Sequence, residues 1–284
     1  MRRTILPTAA VVAAVVGLPG VASAETTTSY VVPLDLTVVA SPNTCPNPLL
    51  TDFCGYTRGT GTVGIAPGAP DAASGTDHLV ISTPDGNAKA YALSYEFAGT
   101  PLSDIETLGY RSYVAQVNPA EPRQAPALNI EVDRNGGTLQ PGDYAVLVWE
   151  PVYTAESTDA RRWITRSPST SDGGWWSPAN RSTTQLPQPL GFPQEEATWE
   201  QVQAGLQNAT VLGIGVNQGG GNPGLLAQVD LLQVNGTVHD FETELPYPTA
   251  KEQCRKNGWA EFTAPGFRNQ GQCVSWVARR SGDA

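Results

Sequence analysis

Two short runs in this chain have residue types and spacing suited to surface chemistry. The first is Gly173-Gly174-Trp175-Trp176. Sugar rings present flat C–H faces that pack on indole, and a Gly-flanked loop can offer such a platform. Tryptophan serves equally well to pin a long loop onto a core, because it buries so much apolar area. Neighbours in an extended segment point opposite ways, so only one of Trp175 and Trp176 is available to a ligand. The second run is Ala127–Asp133. Leu128, Ile130 and Val132 share one face of a strand there, and Asn129, Glu131 and Asp133 share the other. Arg111, Tyr113, Glu96, Gln228 and Asp230 also sit at alternating positions in apolar runs. A sheet face lined by such groups suits a sugar, through hydrogen bonds to hydroxyls over an aromatic floor. It also describes the ordinary solvated side of a sheet. Carboxylates drawn in pairs from Glu96, Glu131, Asp133 and Glu150 would instead suit glycoside hydrolysis, which needs them about 5 Å apart for retention and further apart for inversion.

Other motifs are weaker. Gly59-x-Gly61-x-x-Gly64 spells a dinucleotide fingerprint. Its setting is wrong: Cys54 precedes it and Ile65-Ala66-Pro67 follows, where a helix is required, so it reads as a turn. Gly-x-Ser-x-Gly and His-Glu-x-x-His do not occur. His78 and His239 are the only histidines, which makes a Ser/His/Asp triad improbable. Asn180, Asn208 and Asn235 open formal glycosylation sequons.

These residues must be held by a particular kind of scaffold. Among 284 residues there are 29 Gly and 24 Pro, with 7 Trp, 9 Tyr and 6 Phe, and only 15% are charged. That is turn-rich, aromatic, all-β composition, not a coiled coil or a disordered charged chain. Strands are expected at 30–39, 78–82, 89–97, 105–114, 127–133, 144–153, 209–216, 225–234 and 237–241, separated by Gly, Pro, Asn and Asp clusters. The connection Arg161–Pro193 is long for a compact domain, which marks it as functional or loosely held. Thr198-x-x-Gln201 is a capping box that opens one body helix.

Met1-Arg2-Arg3, an apolar Thr8–Val21 and Ala22-Ser23-Ala24 read as a secretory signal peptide over residues 1–24. No later run is long enough for a membrane span. Residues 25–244 form the expected β domain. They carry 9 Lys/Arg against 24 Asp/Glu, a net of −15, and such a body repels nucleic acid. Residues 245–284 read as a linker and a helical tail with 6 Lys/Arg against 3 Asp/Glu. Thr249-x-x-Glu252 and Asn269-x-x-Gln272 cap its two expected helices. Four cysteines outside the leader allow three pairings; proximity in sequence favours Cys45–Cys54 and Cys254–Cys273, and export favours disulfides over thiols.

The stretches Phe97–Ile105, Pro126–Asp133 and Leu212–Gly219 running into Val229–Leu232 resemble secreted actinobacterial β-sandwich proteins. Their fold looks like the antiparallel jelly roll of concanavalin-type lectins and carbohydrate-binding modules. The tail, Cys254–Trp259 with Phe267–Cys273, resembles a short cysteine-paired tail found on actinobacterial secreted proteins. The resemblance implies a jelly-roll sandwich with one short helix and a disulfide-stapled tail. It also implies a structural calcium ligand at Asp230, an ion that needs six to eight oxygens. No EF-hand loop is present to supply them. Glu131-x-Asp133 partly resembles the Glu-x-Asp-x-x-Glu strand of jelly-roll glucanases, but position 136 is Gly, so the second glutamate is missing. No catalytic residue and no cofactor is implied. The leading expectation is a secreted, non-catalytic module for an extracellular or cell-wall glycan, contacting it through Trp175, Trp176, Asn129, Glu131, Asp133, Arg111 and Tyr113. A glycoside hydrolase or polysaccharide lyase is the first alternative, and a surface or matrix protein without a small ligand the second.

Overall fold

A computed structural model describes residues 26–41, 53–156, 159–178, 190, 192–193, 197–219, 221–263 and 265–280. The expected leader, Cys45 and the Asn180 sequon lie outside them. The described chain forms fourteen strands: β1 (Thr27–Val31), β2 (Leu36–Val39), β3 (Phe53–Arg58), β4 (Thr62–Asp71), β5 (Gly75–Thr83), β6 (Lys89–Ser94), β7 (Leu108–Gln116), β8 (Ala127–Asp133), β9 (Tyr144–Trp149), β10 (Trp163–Arg166), β11 (Trp175–Trp176), β12 (Thr210–Gln218), β13 (Leu225–Val234) and β14 (Thr237–Phe241).

They make two seven-stranded sheets. In the second sheet the order is β11-β9-β8-β12-β6-β3-β2. In the first, β10-β7-β13 continues as a fork: β13 pairs with β5 over Leu225–Val229 and with β14 over Leu232–Val234, and β4 and β1 complete the two prongs. The sheets are mixed, not antiparallel throughout. β1 runs parallel to β14 and β2 parallel to β3. The physical reason is in the connections. Two-residue hairpins enforce antiparallel pairing, whereas a dozen or more residues can return the chain to the same end. Residues 40–52 separate β2 from β3, and β1 meets a strand from the far end of the domain.

The strand orders of the two sheets mirror each other. β4-β5-β13-β7 in the first sheet is matched by β3-β6-β12-β8 in the second. Each consecutive pair, β3/β4, β5/β6, β7/β8 and β12/β13, therefore places one strand in each sheet. Between them lies one core holding Leu79, Ile81, Val229 and Leu232 from the first sheet and Phe53, Leu128, Ile130, Leu147 and Ile214 from the second. Trp149, Trp175 and Trp199 close it at one end.

Alternation placed β8, β13 and β14 at their observed limits. Prolines shortened others: Pro33 begins a helical turn that divides 30–39 into β1 and β2, and Pro151 stops β9. Proline lacks an N–H and cannot continue a ladder. The glycine triplet is the join of β3 to β4, with Gly59 at φ +62° in the turn. The long connection carries β10 and β11. The body helix spans Trp199–Gly205, and its capping box forms as read: Thr198 Oγ1 accepts from Gln201 N–H at 3.3 Å and Gln201 Oε1 accepts from Thr198 N–H at 3.0 Å.

The tail has its own small core. The Cys254–Cys273 disulfide, with Val277, packs among Trp259, Phe262, Phe267, Val274 and Trp276. The second expected tail helix runs Gln270–Arg280; the first is only a turn of 3-10 helix, Lys251–Cys254. Gln253, not Glu252, accepts from the Thr249 and Ala250 N–H groups there, at 2.8 Å each.

Candidate functional site: the outer face of the second sheet

The core side of the second sheet is apolar, so period-two alternation turns the intervening residues to its other face. On β8 these are Asn129, Glu131 and Asp133. Across the ladder, Glu131 is opposite Gly213 and Asn129 is opposite Gly215 on β12; Asn217 follows two positions on. On β6 the same face carries Lys89, Tyr91 and Leu93, and on β3 Cys54, Tyr56 and Arg58. β9 adds Tyr144, Val146 and Val148, and Trp176 lies opposite Val148.

The middle of this face is a floor of glycine walled by aromatic rings. Tyr95 lies over Gly213, where a Cβ would come within 3.1 Å of its ring. A Cβ at Gly215 would overlap the Ala92 carbonyl oxygen, so β6 and β12 approach closely only because residue 215 has no side chain. Tyr91 packs on Tyr56 with ring centroids 5.1 Å apart, and Lys89 Nζ stands 5.6 Å from the Tyr91 ring centre. Tyr144, 43% exposed, donates its hydroxyl to Glu131 Oε1 at 2.8 Å.

The polar groups are in an unusual state. Asn129 Oδ1, Asn217 Oδ1 and Asp133 Oδ2 are buried and accept no hydrogen bond. Each such oxygen costs about 1–3 kcal/mol relative to a satisfied one. Asn129 and Asn217 sit diagonally across β8 and β12, roughly 7 Å apart by sheet geometry, with the bare Gly215 beside them. Burial holds the Glu131 carboxyl above its ordinary range, against the opposing pull of the Tyr144 hydroxyl and of Lys89. Burial, then Arg58, depress the Lys89 ammonium, and Glu131 opposes them. The Tyr91 and Tyr144 hydroxyls are pushed up by burial and then by Glu131, and Tyr95 by the same causes to about 12. The face therefore sets neutral hydroxyls and amides around the Glu131 carboxyl, which resists ionisation, with Lys89 and Arg58 at the β6–β3 side and Asp133 at the end of β8.

Arg111, Tyr113, Gln228 and Asp230 do share a face, but it is the outer face of the first sheet. The chain itself covers that face. Residues 68–74, the end of β4 and the turn into β5, fold over it like a strap. Asp71 takes a two-pronged ion pair from Arg111, through Nε and through Nη2 at 2.8 Å. Ala69 N–H donates to Gln228 Oε1 at 2.8 Å, while the Ala69 carbonyl accepts from Trp163 Nε1 at 3.1 Å and from His78 Nε2 at 2.8 Å. A Cβ at Gly68 would lie 2.6 Å from the Gln228 amide and would push it off its contact with Ala69. The Trp163 ring packs on Tyr113 and His78 at centroid distances of 5.6 and 4.5 Å.

Asp230 marks the fork of the first sheet, where Leu231 takes φ +48° and the ladder slips. It is fully buried. Oδ2 accepts from His78 Nδ1 at 2.9 Å, and Oδ1 from the N–H groups of Leu231 at 2.8 Å and Phe241 at 3.0 Å. Both oxygens are satisfied without a cation, and Asp230 reads as the tie that joins the two prongs. Among the described residues no cluster of three His, Cys, Asp or Glu is placed to hold a metal. Burial alone would depress the His78 imidazole, but Asp230 and the Ala69 carbonyl raise it. The Ala69 carbonyl can only accept, so Nε2 donates to it, and the Asp230 carboxyl lies at Nδ1 on the other side of the ring. Neither histidine has a serine partner; His239 faces the Leu232 carbonyl at 3.2 Å and Glu96 Oε2 at 2.9 Å.

Of the residues singled out by sequence, Asn129, Glu131, Asp133 and Trp176 come together on the second sheet. Arg111, Tyr113 and Asp230 stand on the other side of the molecule. Trp175 is 0% exposed; its indole N–H is held by the Pro168 carbonyl at 3.0 Å and its ring packs 4.8 Å from Trp199. It offers no surface to a ligand, and the pair divides as alternation requires. Asp133 is 1% exposed and holds Asn135 N–H at 3.1 Å, a turn-forming role. Sequence reading missed Tyr56, Tyr91, Tyr95, Tyr144, Lys89 and Asn217. Only their place on the same sheet face as Asn129 and Glu131 signals them, and that needs the strand order and register. Cys54 is disulfide-bonded; its expected partner Cys45 is outside the described residues. No helix among the described residues is long and apolar enough to cross a membrane. No family model, no curated protein and no solved structure matches this chain.

Proposed function

We propose that this protein is an exported, non-catalytic glycan-binding module of jelly-roll type, and that its site is the outer face of the second sheet. The observation that carries the reading is the pair of unsatisfied side-chain oxygens, Asn129 Oδ1 and Asn217 Oδ1, beside the glycine floor and among tyrosine rings. A ligand rich in hydroxyl donors and flat C–H faces suits both features, provided the side chains over the two buried oxygens move aside as it docks. The mirrored strand orders support the jelly-roll reading, and the Cys254–Cys273 disulfide together with the leader-like residues 1–24 supports export. The test is retention of residues 25–284 on insoluble cellulose, chitin, xylan and peptidoglycan. Wild type is retained on at least one, and Tyr144→Ala/Asn217→Ala is lost from it with unchanged melting. Failure of wild type on all four sinks the proposal.

A second reading is hydrolysis, favoured by one observation: burial raises the Glu131 carboxyl above its ordinary range, the direction in which a general acid is tuned. Asp133, two residues along the strand, stands roughly 6.7 Å away by strand geometry, a separation within the inverting range. Its burial and its hold on Asn135 N–H argue against a water-activating role. Release of reducing ends that disappears in Glu131→Gln would replace the binding reading with this one.

A further inference from the structure

The tail carries an aromatic stripe that the glycan face does not use. Phe267, Trp276, Tyr247 and Tyr30 follow one another with successive ring centroids 5.8, 5.5 and 5.8 Å apart. Trp276 stands between two grooves. One, of about 730 Å³, is lined by Phe267, Trp276 and Arg279. The other, of about 250 Å³, is lined by Tyr247, Trp276 and Arg280. Arg280 stacks over Trp276 at 4.7 Å and over Tyr247 at 5.3 Å, so its guanidinium is held in place while its edge can still donate. Asn269 and Gln272 border the larger groove. Their side-chain oxygens already accept from backbone N–H groups at 3.0 and 2.9 Å, which leaves their amide N–H groups as donors.

The larger groove thus sets aromatic rings beside the Arg279 guanidinium, and in the smaller one the Arg280 guanidinium lies over the rings with its edge toward the groove. That pattern fits a polymer whose repeating unit is one pyranose ring with one carboxylate. We propose that the tail is a second binding site, and that it takes an acidic polysaccharide built of uronic acid units. Charge complementarity supports this occupant: the tail's six Lys/Arg stand against three Asp/Glu, in a protein whose body is at −15. Guanidinium binds carboxylate through two parallel hydrogen bonds. Single-stranded nucleic acid also stacks on aromatic rings beside cations. Both polymers carry one negative charge per repeating unit, so charge does not separate them; the free amide donors of Asn269 and Gln272 beside the larger groove match ring hydroxyls, which a uronate chain carries on every unit and a deoxynucleotide strand does not.

The experiment uses residues 25–284 with polygalacturonate, an uncharged glucan of similar length, and an oligo-dT strand as probes. Wild type binds polygalacturonate with an affinity that falls as salt rises, and binds the other two at least tenfold more weakly. Arg279→Gln, an exposed position whose side chain closes no core contact, weakens polygalacturonate binding about fivefold, as loss of roughly 1 kcal/mol requires; adding Trp276→Ala abolishes it. Tyr144→Ala leaves it unchanged, which separates this site from the sheet face. Absence of polygalacturonate binding, equal binding by Arg279→Gln, or a preference for oligo-dT overturns the proposal.

Discussion

Replacing Asp240 by Asn should stabilise the protein at pH 8 and do much less at pH 5. Asp240 lies on β14 beside the fork of the first sheet, and its Oδ1 is buried without a partner. Burial, then the neighbouring Asp230 carboxylate, push its carboxyl from 3.8 up to about 7. A carboxyl whose folded pKa is raised binds protons more readily in the folded chain. Stability is therefore present at low pH and is lost as pH rises from about 4 through about 7. Taken at face value the shift is worth about 4 kcal/mol at pH 8, and under half of that at pH 5. The side chain is partly in solvent, so screening leaves about 1–2 kcal/mol at pH 8. For a domain of this size each kcal/mol moves the melting temperature by about 2–4 °C. Thermal melts of wild type and Asp240→Asn at pH 5 and pH 8 should show a gain of about 2–8 °C at pH 8, falling by more than half at pH 5. An equal effect at both pH values, or a loss at pH 8, refutes the reasoning. Glu242 is also held up at about 7, by burial and then Asp240, so the same substitution should lower its titration.

Three further outcomes follow from named contacts. Trp175→Ala removes a fully buried ring and should cost about 3–5 kcal/mol, while Trp176→Ala, on the outer face, should cost under half as much in the same denaturant titration. Asp230→Ala leaves the buried His78 ring without its Nδ1 partner and unties two backbone N–H groups, for a loss of about 3–5 kcal/mol; a loss below 1 would remove the fork from the account. Cys254→Ala/Cys273→Ala opens a loop with a sequence separation of 19. It should destabilise the tail by about 3 kcal/mol and leave the body's melting unchanged, which near-ultraviolet circular dichroism of the tail tryptophans and calorimetry read separately.

The strands were legible wherever alternation was clean. Leu128, Ile130 and Val132 against Asn129, Glu131 and Asp133 fixed both the extent and the sidedness of β8. The capping box at Thr198 was equally plain, because its chemistry lies within four residues. What sequence could not supply was which strands are neighbours. That information decides whether Glu131 meets Arg111 or Tyr144, and it placed them on opposite sheets. The strap over Arg111 was hidden for the same reason, since Ala69 and Gln228 are 159 residues apart. Asp230 has the composition of a solvent-facing or metal-binding carboxylate, and only the fork shows three N–H donors converging on it. Gly213 and Gly215 fall inside the expected strand 209–216, yet only the strand order shows them as the floor that lets Tyr95 and β6 close in. The parallel pairings of β1 with β14 and of β2 with β3 lie beyond local pattern altogether, because no hairpin turn announces them.

The central claim is that Asn129 and Asn217 await hydroxyl donors on the outer face of the second sheet. The most direct test is the side-chain amide spectrum of 15N-labelled protein titrated with cello-, chito- and xylo-oligosaccharides. The account predicts that one series shifts the Asn129 and Asn217 NH2 signals saturably, together with the Trp176 indole, while Gln228 beneath the strap stays still. Shifts confined to Gln228 and Trp163, or no shift with any series, would contradict it.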